Sequence, residues 1–255
     1  MKIAGTKAIV VGGASGMARA TAEMLLREGA RVAILDRDGP QGEEAATAMG
    51  GGTRFYRCDV TDFAGTEAAI TRAADDLGAL HFGVNTAGGG IAKRTLTKEG
   101  PHPLDDFRAV IDLNLVASFN VARLQAERMA RNEADENGER GVILMTASIA
   151  AFEGQIGQVA YSAAKAGIAG MTLTMARDLG SLGIRVATIA PSLFHTGLTQ
   201  GIPKVMEDGL TKDAAFPKRM GRPDEYAHIA RAIFENAMMN GSVVRLDGGQ
   251  RFAPK

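Results

Sequence analysis

Seven short apolar runs alternate with helix-period stretches along this chain, and that rhythm narrows the fold more than any other feature. The runs are Lys7–Val11, Arg31–Leu35, Arg54–Tyr56, His81–Val84, Val142–Met145, Ile184–Ile189 and Val243–Leu246. Between them lie helical patterns at Met17–Glu28, Phe63–Leu77, Leu104–Arg131, Val159–Leu179 and Asp224–Asn236. Continuous apolar strands are buried on both faces, which calls for helices on both faces and parallel βαβ crossovers. The expectation is one α/β domain over residues 1–255, a doubly wound, seven-stranded parallel sheet with helices on both faces. A chain of 255 residues is long enough to bury one such core. Two stretches break the rhythm. Asn132–Arg140 is charged and reads as an exposed helix end and loop. Ser192–Pro217 follows the carboxyl end of a strand, where ligands lie in open α/β sheets, and is a candidate substrate lid.

The chemistry gathers at strand ends. Gly12-Gly13-Ala14-Ser15-Gly16-Met17-Ala18 joins the first strand to the first helix. Small residues let this backbone turn sharply and approach a pyrophosphate, and the helix adds N–H groups and a positive dipole end. Gly12, Ser15, Gly16 and Met17 are therefore candidate cofactor contacts in a Rossmann-type unit. Asp36 ends the second strand about 20 residues beyond Gly16, where a carboxylate can accept from the adenosine ribose hydroxyls. It would repel a 2′-phosphate, which favours NAD over NADP, although Arg37 beside it can pair with such a phosphate. Asp59 is placed either at the adenine edge or as a loop cap. Asn85-Thr86-Ala87-Gly88-Gly89-Gly90 follows the fourth strand and offers further close backbone approach, with Asn85, Ala87 and Gly88 as contacts. Tyr161 and Lys165, spaced i, i+4 in a helical stretch, share one helix face. A neighbouring ammonium is expected to lower the phenol from its ordinary value near 10 and so make Tyr161 a usable general base. Ser148 ends the fifth strand, where its hydroxyl can hold a substrate oxygen.

With these residues in place, the whole chain resembles the short-chain dehydrogenase/reductases. Their loop pattern Thr-Gly-x-x-x-Gly-x-Gly matches Val11–Ala18, and their Asn-Asn-Ala-Gly matches Asn85-Thr86-Ala87-Gly88. Within the family, Thr146–Gln155, Ala176-Arg177-Asp178-Leu179, Thr188-Ile189-Ala190-Pro191 and Arg245-Leu246-Asp247-Gly248 look like the type 2 3-hydroxyacyl-CoA dehydrogenases. The resemblance implies a catalytic set of Asn114, Ser148, Tyr161 and Lys165. It implies that Asn114 holds a water linking Lys165 to solvent, that Gln155 touches substrate beside Ser148 and Tyr161, and that Tyr161 and Lys165 also meet the cofactor. Val60, Pro191, Leu193 and Thr196 would complete the cofactor contacts. It implies an NAD-dependent oxidation of a secondary alcohol, most simply a 3-hydroxyacyl-CoA, by a homotetramer. Three departures stand out: Val11 lacks the loop threonine's hydroxyl, Ala18 replaces the third glycine, and Ser192 replaces the glycine after Pro191.

Composition trims the alternatives. Lys plus Arg and Asp plus Glu both total 29, so no basic excess invites nucleic acid. The four histidines are scattered and the lone Cys58 has no partner, so neither a metal site nor a disulfide is expected. No apolar run reaches the roughly 18 residues of a membrane span, and the first residues run straight into a strand without a targeting segment, so a cytoplasmic protein is expected. Two rival readings remain: an NADPH-dependent 3-ketoacyl reductase, which Asp36 opposes, and a non-catalytic NAD-binding regulator, which the intact Ser148, Tyr161 and Lys165 oppose.

Overall fold

The computed structural model describes residues 1–196 and 201–253. Seven strands form one parallel sheet: β1 (Lys7–Val11), β2 (Arg31–Asp36), β3 (Arg54–Arg57), β4 (Phe82–Asn85), β7 (Gly141–Thr146), β8 (Ile184–Pro191) and β9 (Val243–Leu246), in the order β3-β2-β1-β4-β7-β8-β9. A two-stranded antiparallel hairpin, β5 (Leu96–Thr97) with β6 (Gly100–Pro101), stands apart from it. The expected sheet is the observed one, strand for strand.

Alternate residues of each strand feed two separate cores. Ile9, Val11, Leu35, Ile143 and Met145 pack beneath α3 (Phe63–Leu77), α5 (Ala117–Met129) and α6 (Val159–Gly180). Val10, Ile34, Val84, Leu144 and Ile189 pack beneath α1 (Gly16–Arg27), α2 (Gly39–Met49) and α8 (Pro223–Glu235). Two-sided burial explains why these strands read as unbroken apolar runs and not as alternation. The order reverses between β1 and β4, so their carboxyl ends diverge and leave a crevice, the place such sheets bind ligands.

Three differences from the sequence reading have physical causes. Helix α2 went unread because it carries two glycines and a narrow apolar stripe. Asp38 caps it through a bond from Gln41 N at 3.0 Å, and Gly42 lies so close under the Phe55 ring that a Cβ would collide with it. The expected single helix 104–131 is α4 (Leu104–Ile111), a π-helical turn at Asp112–Val116, and α5. The wide turn centres on Asn114, whose amide leaves the helical pattern to bond a neighbouring loop. The candidate lid contains a helix, α7 (Lys204–Thr211), and its residues 197–200 lie outside the described part of the chain. Among the described residues no helix is long and apolar enough to cross a membrane, and no group of His, Cys, Asp or Glu side chains is placed to hold a metal ion.

Candidate active site

The glycine loop is closed by short bonds that only small residues allow. Gly12 N and Gly13 N both donate to Leu35 O, at 2.8 and 3.2 Å. Gly12 has φ +82° and Gly16 φ +54°, the left-handed region that other residues adopt at a cost. A Cβ on Gly13 would stand 2.7 Å from the Ile34 side chain. Ser15 is the N-cap of α1 but makes no side-chain cap bond, so its hydroxyl is not taken by the helix. Ala18, in place of the third glycine, is buried against β-strand side chains without disturbing α1. Asp36 reaches into the loop: Oδ2 accepts from Ala14 N at 3.1 Å and Oδ1 from Asp38 N at 3.3 Å.

The second loop, after β4, lies across the first. Thr86 Oγ1 donates to Val11 O at 3.0 Å, and a Cβ on Gly12 would stand 2.8 Å from that oxygen. The hydroxyl that Val11 lacks is thus supplied from the opposite loop. Thr86 was not singled out from sequence; the signal for it was the absence of a hydroxyl at Val11. Asn85 differs from expectation. Its side chain turns inward and exchanges two amide bonds with Gln125 of α5, at 2.9 and 3.0 Å. Only its backbone remains for a ligand.

Farther along the same edge the catalytic candidates converge. A Cβ on Gly88 would meet Asn114 Oδ1 at 2.6 Å and Lys165 Nζ at 3.3 Å, and one on Gly90 would meet the Tyr161 ring at 3.1 Å. Asn114 is fully buried: Nδ2 donates to Gly89 O at 2.6 Å and Val110 O at 2.8 Å, and Oδ1 accepts from Gly89 N at 3.2 Å. Its side chain braces the loop through these backbone bonds. Ser148 ends β7's extension and caps a short 3₁₀ turn, Ile149–Ala151, accepting from Ala150 N at 3.1 Å. That bond occupies one lone pair, and the Ser148 hydroxyl lies beside the Tyr161 phenol, close enough to favour its charged form. Lys165 Nζ donates to Thr146 O at 3.0 Å and sits 5.5 Å from the centroid of the Tyr161 ring.

The electrostatics correct one expectation. Burial pushes the Tyr161 phenol above its ordinary value, and the Ser148 bond only partly offsets this. Lys165 does not lower it. Burial instead pulls the Lys165 ammonium down to about 8. Desolvation disfavours the charged form of each group.

The remaining candidates divide. Thr196 lies against Gly16, within 3.1 Å of where a Cβ would stand, and so covers the glycine loop. Pro191 ends β8, and Leu193 O accepts from Gly221 N at 2.9 Å. Ser192, in place of a glycine, keeps an ordinary backbone bond to Leu246 O at 3.1 Å. Met17 and Val60 turn their side chains into the two cores. Asp59 accepts through Oδ1 from Thr61 N at 3.0 Å and Thr61 Oγ1 at 2.6 Å, bonds that lower its carboxyl and brace the loop; Asp62 caps α3 itself. The Gln155 amide donates to the carbonyl of Ala253 in the C-terminal tail, at 3.2 Å. His195, on the lid, faces Glu207 of α7 at 3.4 Å.

A dinucleotide fits these residues. Gly12, Gly13, Gly16, Gly88 and Gly90 pack the two loops closely along one edge, where a Cβ would meet neighbouring protein atoms, and Asp36 stands at the β2 end of that edge.

Comparison with known proteins agrees with this geometry. A family model described as short chain dehydrogenase matches residues 6–207. The 3-hydroxyacyl-CoA dehydrogenase type-2 of Bos taurus is 48% identical over 254 residues, covering 99% of this chain and 97% of the relative. A crystal structure of 3-hydroxyacyl-CoA dehydrogenase type-2 from Mycobacterium avium superposes with TM-score 0.94 at 44% identity, covering 98% of each chain. A 7α-hydroxysteroid dehydrogenase complexed with NADH and 7-oxo glycochenodeoxycholic acid superposes with TM-score 0.88 at 28% identity, covering 100% of this chain and 97% of the other.

Proposed function

The chain belongs to the short-chain dehydrogenase family, and from that premise we propose that it oxidises a secondary alcohol with NAD, its substrate being a 3-hydroxyacyl-CoA. One observation carries the reading: the Tyr161 phenol lies beside the Ser148 hydroxyl, with Lys165 buried behind, and Gly88 and Gly90 of the loop after β4 pack closely against Lys165 and the Tyr161 ring. The substrate class rests on the 3-hydroxyacyl-CoA dehydrogenases to which the chain is similar along nearly its whole length. The choice of NAD rests on Asp36, whose carboxylate would repel a 2′-phosphate.

The residues would share the work as follows. Gly12, Ser15, Gly16 and Asp36 hold the phosphates and adenosine ribose, and Thr196 covers them. The cofactor, when bound, supplies the hydride acceptor. Ser148 donates a hydrogen bond to the substrate oxygen and fixes it beside Tyr161. In oxidation the Tyr161 phenolate takes the alcohol proton as the carbonyl forms; in reduction the phenol returns it to the developing alkoxide. General acid–base help of this kind is worth about 10²–10⁴-fold. Lys165 holds positive charge behind the tyrosine while the pH is below about 8. Because the chain's own burial keeps Tyr161 protonated near neutrality, its resting form is the proton donor that ketone reduction needs. Assembly as a homotetramer belongs to the same reading and is supported by exposed Phe119 on α5 and Leu173 on α6.

A panel of 3-hydroxyacyl-CoA thioesters, hydroxysteroids and simple secondary alcohols, each assayed with NAD and NADP, tests the proposal. The thioesters with NAD are expected to give the highest kcat/KM. Equal rates with NADP would overturn the cofactor choice, and a steroid or simple alcohol in first place would overturn the substrate class.

A further inference from the structure

The segment that runs on from Ser148 toward α6 is held from outside by charge. Glu153 takes a two-pronged bond from Arg245 on β9, Nη1 to Oε1 at 2.7 Å and Nη2 to Oε2 at 3.1 Å. The same guanidinium lies 5.3 Å from the Phe152 ring centroid, and its Nε donates to Asp247 at 2.7 Å. Arg251 reaches both carboxylates, Glu153 at 3.3 Å and Asp247 at 3.1 Å. Together these cations hold the Glu153 carboxyl below its ordinary range. The tail is stitched to this wall again by the bond from Gln155 to Ala253 O.

The other side of the tail is tied to the lid. Gln250, 2% exposed, donates from Nε2 to the carbonyl of Leu210 in the last turn of α7, at 2.8 Å. Its own carbonyl accepts from Arg245 Nη2 at 3.3 Å. Phe216 N, beyond α7, donates to Gly248 O at 3.0 Å. None of these bonds involves the glycine loops. The wall beside Ser148 and the helix of the lid are therefore joined through Gln250, whose side chain bonds Leu210 and whose carbonyl accepts from Arg245 and, at 2.7 Å, from Arg251, both of which also reach Glu153.

We propose that Glu153, Arg245 and Gln250 are positioning residues that couple lid helix α7 to the wall beside Ser148 and so set how tightly the enzyme holds its substrate. The proposal rests on Ser148 and Tyr161 being the reacting site. A planar guanidinium bonded twice to a carboxylate fixes direction as well as distance, which a lysine cannot do. Links in series also have a signature. Once the shared Gln250 link is broken the lid is already uncoupled, so removing Arg245 as well adds little, whereas independent contacts add.

The test uses the full chain with Arg245→Met, Arg245→Lys, Gln250→Leu and the double variant Arg245→Met/Gln250→Leu. Each single is expected to raise the substrate KM by about 5–20-fold, with kcat within about threefold and the Kd for NADH, read by fluorescence, within about twofold. Arg245→Lys should raise KM less than Arg245→Met. The double should raise KM no more than about threefold beyond the worse single. A double equal to the product of the singles, an unchanged KM in Gln250→Leu, or parallel losses of kcat and NADH affinity would overturn the proposal. Should Arg245→Met fail to fold, Gln250→Leu and Arg245→Lys still decide it. Amide hydrogen exchange supplies a readout independent of turnover: residues 149–158 should exchange about tenfold faster in Gln250→Leu, although that side chain touches none of them. Faster exchange with no turnover of any thioester would leave the coupling standing and sink the activity; normal turnover with unchanged exchange would do the reverse.

Discussion

The two edges of the central sheet bury a cation to the same depth and treat it in opposite ways. At the amino edge Arg185, 5% exposed, bonds Glu139 and the carbonyls of Ile233, Phe234 and Met239 at 2.8–2.9 Å. Glu139 in turn accepts from the amino group of Met1 at 2.5 Å. At the carboxyl edge Lys165, 4% exposed, meets only one carbonyl among the described residues, that of Thr146, and burial pulls it down to about 8. Partners, not depth, separate a strut from a reagent. An ion with a counter-charge and a partner at every nitrogen holds elements together, while one left short of partners can change its charge within reach of neutral pH.

The largest effect should come from the reactive edge. Tyr161→Phe removes the proposed proton carrier and is expected to lower turnover by about 10³-fold or more, with NADH binding and melting temperature little changed. Turnover within about tenfold of the native enzyme would mean that another group moves the proton. At the other edge the effect should fall on stability alone. Glu139→Gln leaves the Arg185 guanidinium without its counter-charge and should cost about 3–5 kcal/mol in urea unfolding, with kcat unaltered at low temperature. A loss below about 1 kcal/mol would show that Glu139 is no strut.

The smallest effect carries the opposite sign. The folded value of Lys165, about 8, lies below its ordinary 10.5. The burden on folding is therefore full below pH 8 and fades as pH rises from 8 to 10.5, with an upper bound of about 3 kcal/mol. Lys165→Met should end turnover and yet melt a few degrees higher at pH 7, the difference closing by about pH 10. A lower melting temperature at pH 7 would erase the contrast between the edges, because Lys165 would then be a strut as well.

Much of this was readable from the chain in advance. The strands, the glycine turn, the acid at the end of β2 and the i, i+4 pair of Tyr161 and Lys165 are local patterns, and the structure assembles them at one edge. Asn132–Arg140 is the exposed helix end and loop that its charges suggest, with one exception. It looks like a charged loop, but Glu139 within it is buried, because its partner Arg185 lies 46 residues away. The amides of Asn85 and Gln155 likewise find partners far along the chain, Gln125, 40 residues on, and Ala253, 98 residues on.

The amino-acid sequence by itself determined the parallel sheet, the glycine turn and the residue types of the reacting site. Each of these follows from side-chain periodicity or from backbone freedom within a few residues. Only the tertiary structure decided which polar groups are answered. It gave Val11 a brace from Thr86, widened the helix at Asn114, filled the shell of Arg185 and left Lys165 short of partners. Those outcomes depend on desolvation and on contacts between distant segments, and no local pattern encodes them.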